Sequence, residues 1–365
     1  MFTLQRVASI AVLVAFCVIV LGAYVRLSHA GLGCPDWPGC YGHITWPEHD
    51  HEVLTANQNF PDRPVETHKA WKEMVHRYLA GTLVLLVLII NVLVWKQTYR
   101  FQHLRLLAGC TLVLILFQAA LGMWTVTLKL LPMVVTAHLL GGLATFALLL
   151  WLAFKSSRVG RYNPSHTIRK LRPLVISGLV VLVLQIFLGG WTSANYSALA
   201  CPDFPTCQQS WWPQADFVEG FRIWREIGVD YEGGVLDLDA RVAIHWSHRI
   251  WAIVTFLVLS ILAVRLLQTP VLQRAGAVLF ALLFTQVGLG IANVVLYLPL
   301  ANAVMHNGVA AILLAMMIWL LFRASPQRYC STQRDSSMLQ KAHRYFELTK
   351  PKVVSLIVFT AVVGI

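Results

Sequence analysis

Residues 133–154 read MVVTAHLLGGLATFALLLWLAF, an unbroken run with no lysine, arginine, aspartate or glutamate and with one histidine, His138, near its start. A helix of about 20 apolar residues crosses the hydrocarbon core of a bilayer, so the run predicts a transmembrane span. Runs of similar length and character occur at 7–25, 75–95, 106–126, 173–193, 244–264, 275–297 and 303–322. The expectation is an all-α polytopic membrane protein with eight transmembrane helices. Composition agrees: of 365 residues, 57% are hydrophobic and only 13% charged, which makes a bilayer the natural solvent and membrane lipid the surroundings. The first run is as long as a full span and leads into Arg26 and a Gly/Pro loop rather than a small-residue cleavage site, so it reads as an anchor and not a signal peptide.

The net charge of +12 is no nucleic-acid footprint, because the basic residues are parcelled into particular loops instead of lying on one stripe. Lys96, Arg100 and Arg105, then Lys155, Arg158, Arg161, Arg169, Lys170 and Arg172, and the whole stretch after Arg323 are basic and nearly free of acids. The positive-inside rule puts these on the cytoplasmic side of the inner membrane, with both termini. The loops joining spans one to two and five to six hold 15 of the 17 acidic residues, counting Glu73 at a span mouth, and are expected outside.

Comparing the chain with itself uncovers a repeat. Cys34-Pro-Asp-Trp-Pro-Gly-Cys40 returns 167 residues later as Cys201-Pro-Asp-Phe-Pro-Thr-Cys207; His76-Arg77 returns as His248-Arg249, Gln118-Ala-Ala-Leu-Gly122 as Gln286-Val-Gly-Leu-Gly290, and His138 as His306. With four spans per unit, the halves are parallel repeats about an axis along the membrane normal. The reading is two four-helix bundles, residues 1–155 and 156–325, followed by a cytoplasmic linker, 326–342, and the start of a ninth span within 343–365.

His76, His138, His248 and His306 are the candidate chemistry. A lone intramembrane histidine often only bonds a neighbouring helix, but ionisable groups at membrane depth are costly, and four at repeat-related positions argue for function. Two imidazoles at similar depth in one bundle, with glycines nearby (Gly81, Gly122, Gly141, Gly142, Gly290, Gly308) to leave room for a planar macrocycle, suit axial ligation of haem iron. Zinc fits less well: His245 and His248 have chelating spacing, yet no Asp, Glu or Cys accompanies them in that span. Arg77 and Arg249 are candidates for pairing with haem propionates, against the plainer reading of arginines snorkelling to the interface. The halves differ three residues before the first histidine, with Glu73 in one and His245 in the other. That carboxylate points to chemistry in the first half and a structural or electron-holding role in the second, or else is a helix N-terminal acid favoured by the macrodipole.

Of seven cysteines, Cys17 and Cys110 sit in apolar spans as packing residues, and Cys330 lies in a reducing cytoplasmic segment. Cys34 and Cys40, and Cys201 and Cys207, face an oxidising compartment where disulfides are expected. Both a staple and a redox role are open to them, with redox favoured for the pair beside Glu73.

Together these residues resemble the haem A synthase family, over roughly residues 5–325. The resemblance rests on Gly31-Leu-Gly-Cys-Pro-Asp-Trp-Pro-Gly-Cys40, Glu73-Met-Val-His76-Arg77, the later histidines and the duplication. It implies a haem-dependent oxidoreductase that converts a methyl group of haem O to the formyl of haem A for cytochrome oxidase assembly, drawing on an electron donor. It further implies that His76 and His138 hold the substrate haem O, that His248 and His306 hold a haem b, that Glu73 assists catalysis, and that Cys34 and Cys40 are the functional outer pair. Residues 345–352, Tyr-Phe-Glu-Leu-Thr-Lys-Pro-Lys, resemble the beginning of protohaem IX farnesyltransferase, or haem O synthase; its aspartate-rich motifs are absent, and the likeness implies a truncated fusion of consecutive enzymes. The rival reading is a di-haem b-type electron carrier that leaves its haem unmodified. A transporter is the weaker third, since no span shows a polar break at mid-membrane.

Overall fold

A computed structural model describes residues 2–96, 101–157 and 166–325. Arg100, Arg158, Arg161, Cys330, the 326–342 linker and the 343–365 stretch lie outside the described residues. Among the described residues the chain is helical without strands, and eight of its helices are long and apolar enough to cross a membrane. In order the helices are α1 (Phe2–Leu27), α2 (Asp50–Asn59), α3 (Thr67–Lys96), α4 (Arg105–Thr127), α5 (Pro132–Ser156), α6 (His166–Lys170), α7 (Arg172–Ala194), α8 (Phe217–Gly220), α9 (Leu238–Leu267), α10 (Gln273–Val295) and α11 (Leu300–Ala324).

The eight long helices coincide with the expected runs but several begin earlier. α3 starts at Thr67, so His76 is its tenth residue, and α9 starts at Leu238, ten residues before His248. The hydropathy of the span ends where polar residues begin, but the helix continues because those residues pack against the outer loop. Glu73 therefore sits in the second turn of α3 and is no first-turn acid. Prolines cluster where they cost no helical hydrogen bond, with Pro132 and Pro173 in the first positions of α5 and α7.

α1 packs against α3 and α5, and α4 completes the ring by touching α3 and α5; α7, α9, α10 and α11 repeat this order, and α11 meets α1 and α5 while α5 meets α7. Small residues let the helices approach. In α1, Leu4, Ala8, Ala11 and Ala15 form a fully buried stripe at i, i+4, i+7 and i+11, the close contact on which membrane helix association relies. The backbone carries the duplication too. The turn between α4 and α5 has Lys129 and Leu130 at positive φ, and Tyr297 and Leu298 repeat it between α10 and α11.

Candidate functional site

Each of the two long loops folds into a knot closed by a disulfide, Cys34–Cys40 in one half and Cys201–Cys207 in the other. Inside the first, the Asp36 carboxylate accepts from the amides of Tyr41 (2.6 Å) and Gly42 (2.8 Å); inside the second, Asp203 accepts from Gln208 (2.8 Å), Gln209 (3.0 Å) and the Thr206 hydroxyl. The aspartate of the repeated motif is thus the post around which each knot turns. The Tyr41 phenol lies under the first knot and donates to the Pro64 carbonyl; burial pushes its pKa up to about 12.

A latch ties each knot to the helix bearing the first histidine. Glu73 is 5% exposed, and one of its oxygens accepts from the Cys34 amide (2.9 Å) while the other accepts from Arg77. Arg77 also donates to the carbonyls of Asp36 (2.9 Å) and Gly39. In the second half His245 takes the place of Glu73: its Nδ1 stands 3.3 Å from the Cys201 amide and its Nε2 3.2 Å from Arg249 Nε, and a neutral imidazole accepts at one of these two nitrogens only. Arg249 then donates to the carbonyls of Cys201 (2.7 Å), Asp203 (2.8 Å) and Thr206 (2.8 Å). Both guanidinium groups donate to loop carbonyls. The residue pair is the same device in both halves, built on a carboxylate in one and an imidazole in the other.

The four expected histidines come together two by two. His76 and His138 are electrostatic neighbours, as are His248 and His306. Every ring rests on a glycine of an adjacent helix. A Cβ added to Gly22 of α1 would stand 2.9 Å from Cε1 of His76; the corresponding distances are 3.4 Å from Gly122 to His138, 3.1 Å from Gly189 to His248 and 3.1 Å from Gly290 to His306. Glycine therefore makes room for the imidazoles themselves. Of the other glycines put forward as room for a macrocycle, Gly81 faces open space and Gly308 stands at ordinary distance from Val20.

The surroundings fit an iron-bound macrocycle. All four histidines remain partly accessible within their bundles, and Nδ1 of His76, His138 and His306 is buried without a hydrogen-bond partner. Unpaired polar atoms in so apolar an interior are costly, and a metal at the other ring nitrogen gives such an imidazole a function. Two more side chains belong here, Gln185, which sequence reasoning passed over, and Gln286, which it quoted only as part of the repeat. Gln185 of α7 lies against His248, and Gln286 of α10 against His306. The signal available for Gln185 was a lone amide inside an apolar run.

Fold and site together define a multi-pass helical membrane protein with two histidine pairs, each near a disulfide-closed loop. The chain belongs to the COX15-CtaA family, described as cytochrome oxidase assembly protein, whose match covers residues 5–318. It is 50% identical over 302 residues to a haem A synthase of Shewanella oneidensis, covering 82% of this chain and 90% of the relative. It is also 26% identical over 341 residues to a haem A synthase of Rhizorhabdus wittichii (85% and 90%), and 26% identical over 323 residues to one of Shouchella clausii (87% and 94%).

Proposed function

We propose that this chain is a haem A synthase, an oxidoreductase that converts a methyl group of haem O to a formyl group and so supplies haem A to cytochrome oxidase. The observation that carries the reading is the placement of four histidines in two pairs, every ring seated on a glycine of a neighbouring helix. Family membership and the half-identical relative named as a haem A synthase support it.

In this reading residues 1–155 form the catalytic bundle, where His76 and His138 hold the substrate haem O, and residues 156–325 form a second bundle, where His248 and His306 hold a haem b. When bound, that haem b supplies one-electron redox capacity. Arg77 and Arg249 act on the haem sites by holding the loops above them. Glu73 has one oxygen on an amide and one on a guanidinium, so it serves less as a free base than as a fixed negative charge favouring the positive charge that develops as electrons leave the substrate. In a low-dielectric site such a charge interacts strongly. The Cys34–Cys40 loop is the functional cover of the catalytic half, and Cys201–Cys207 a structural staple.

The distribution of Lys and Arg supports an inner-membrane protein with cytoplasmic termini and its disulfide loops outside. The resemblance of residues 345–352 to haem O synthase supports a partnership, fused or separate, with the enzyme that makes the substrate. The test is purification with and without a haem O supply, extraction of bound haems, and identification by chromatography and mass, with Glu73→Gln in parallel. Haem A or its hydroxylated precursor, present only with substrate and lost in the variant, is the expected result. Unmodified haem under every condition would instead establish the electron carrier.

A further inference from the structure

The two histidine pairs have the same helices beneath them but not the same polar neighbours, and the difference can be traced to single residues. Gln185 lies one helical turn before Gly189, on the face of α7 that receives the His248 ring. Its Nε2 stands 3.2 Å from Nδ1 and 3.5 Å from Nε2 of that ring, and 3.2 Å from the His248 carbonyl, to which it donates. Oε1 of the same amide is buried without a partner. The residue at the equivalent place in the first half, one turn before Gly22 on α1, is Val18. His76 accordingly has no amide beside it, and its Nδ1 is unpartnered.

The other pair of glutamines diverges for a steric reason. A Cβ on Gly141 would fall within 1.9 Å of Nε2 of Gln118, so that amide lies directly over the glycine, and both of its polar atoms lack partners. In the second half the position of Gly141 is taken by Val309. That berth is closed, and Gln286 Nε2 instead stands 3.3 Å from Nε2 of His306. Nε2 is the nitrogen commonly offered to haem iron, so the Gln286 contact must yield when the site is loaded. The Gln185 amide nitrogen, nearly equidistant from both nitrogens of His248, lies over the ring face and is anchored by its bond to the His248 carbonyl, so its contact need not yield.

We propose that Gln185 is a positioning residue for the second-half haem, orienting His248 so that this site retains its haem, while Val18 leaves His76 unrestrained in a site that must release its product. The inference rests on the assignment of His248 and His306 as haem ligands. The amide packs over the imidazole face while donating to the His248 carbonyl, and so fixes the rotation of a ring that would hold iron; a partner that orients a ligand typically carries a 10–100-fold effect on metal affinity.

The experiment uses the full chain in lipid nanodiscs loaded with protohaem. It compares wild type with Gln185→Val, which installs the first-half residue, and with Val18→Gln, which makes the reverse change. His248→Ala identifies the second-half haem. Haem loss to excess apomyoglobin is timed, and low-spin electron paramagnetic resonance g-values report the orientation of the axial rings. We expect Gln185→Val to hasten loss of the His248-dependent haem by about 10-fold or more, in line with the loss of an orienting partner, and to shift its g-values. Val18→Gln should slow loss from the first half. Wild-type release rates and g-values in both exchange variants would overturn the proposal while leaving the ligand assignment intact. No difference in haem content between wild type and His248→Ala would overturn both.

Discussion

Replacing each seat glycine by alanine, one at a time, tests whether the imidazoles depend on those seats. Carbon atoms in unstrained contact stand about 3.5–4.0 Å apart. The new methyl in Gly22→Ala would lie 2.9 Å from the His76 ring, in Gly189→Ala and Gly290→Ala 3.1 Å from theirs, and in Gly122→Ala 3.4 Å from His138. The first is thus roughly 0.6 Å inside contact and the last barely so. Overpacking a tight interior costs about 1–3 kcal/mol, which as a loss of haem affinity is about 5- to 140-fold. Gly22→Ala should fall in the upper part of that range, the 3.1 Å pair in the middle, and Gly122→Ala near wild type. All four substitutions gain the same helix propensity, up to about 1 kcal/mol, so differences among them isolate the wedge. The assay is spectrophotometric titration of haem-depleted protein with protohaem, read at the Soret band. Equal affinities across the series, or the largest loss in Gly122→Ala, would refute the seating argument.

The latch predicts a marked asymmetry in stability. Arg77→Ala strands a buried carboxylate, for which the usual cost is about 3–5 kcal/mol, and should lower the thermal unfolding midpoint of the solubilised protein well below that of Glu73→Gln, which keeps an acceptor for the Cys34 amide. At the junction of the halves, Arg63 pairs with Asp230 and Glu232 in a partly exposed setting, so Arg63→Ala should cost no more than about 1 kcal/mol per pair. Tyr231 is buried among Leu32, Val126, Leu130 and Leu131, and Tyr231→Ala should cost about 3–5 kcal/mol in the same assay, as large aromatic truncations do. Tyr41, its pKa raised to about 12 against an ordinary 10.0, contributes stability that is fully present below pH 10.0 and lost as pH rises through about 12, because the folded state holds the proton longer than the unfolded one. Phenolate absorbance during alkaline titration should show a late-ionising component that shrinks in Tyr41→Phe, with the contribution of Tyr231, whose pKa burial also raises, remaining.

The spans, the repeat and the four histidines were legible because each rests on a pattern that survives in one dimension: runs of about 20 apolar residues, motifs that return in the same order at offsets of 167 to 172, and an ionisable residue where it is costly. The roles of Arg77 and Arg249 were not. An arginine at a span mouth reads equally as a snorkelling or a ligand-binding residue, and only the folded loop reveals the carbonyls of Asp36, Gly39, Cys201, Asp203 and Thr206 that claim these side chains. Helix starts were misplaced for a related reason. Hydropathy ends where the bilayer ends, but α3 and α9 continue into polar sequence because their first turns dock on the disulfide knots. The seating of the imidazoles on Gly22, Gly122, Gly189 and Gly290 was not legible, since spacing along the chain does not say which ring of which neighbouring helix a glycine faces.

The contrast between Glu73 and His245 gains weight from the sameness of everything around it. Both face the amide of the first cysteine of a knot, both face an arginine four residues on, and both precede a seated histidine by three. The carboxylate accepts both bonds at once, one on each oxygen, whereas a neutral imidazole accepts at only one ring nitrogen. Position 73 thus has an architectural reason for its carboxylate, the second acceptor, and the catalytic role proposed for its charge must be tested apart from that reason.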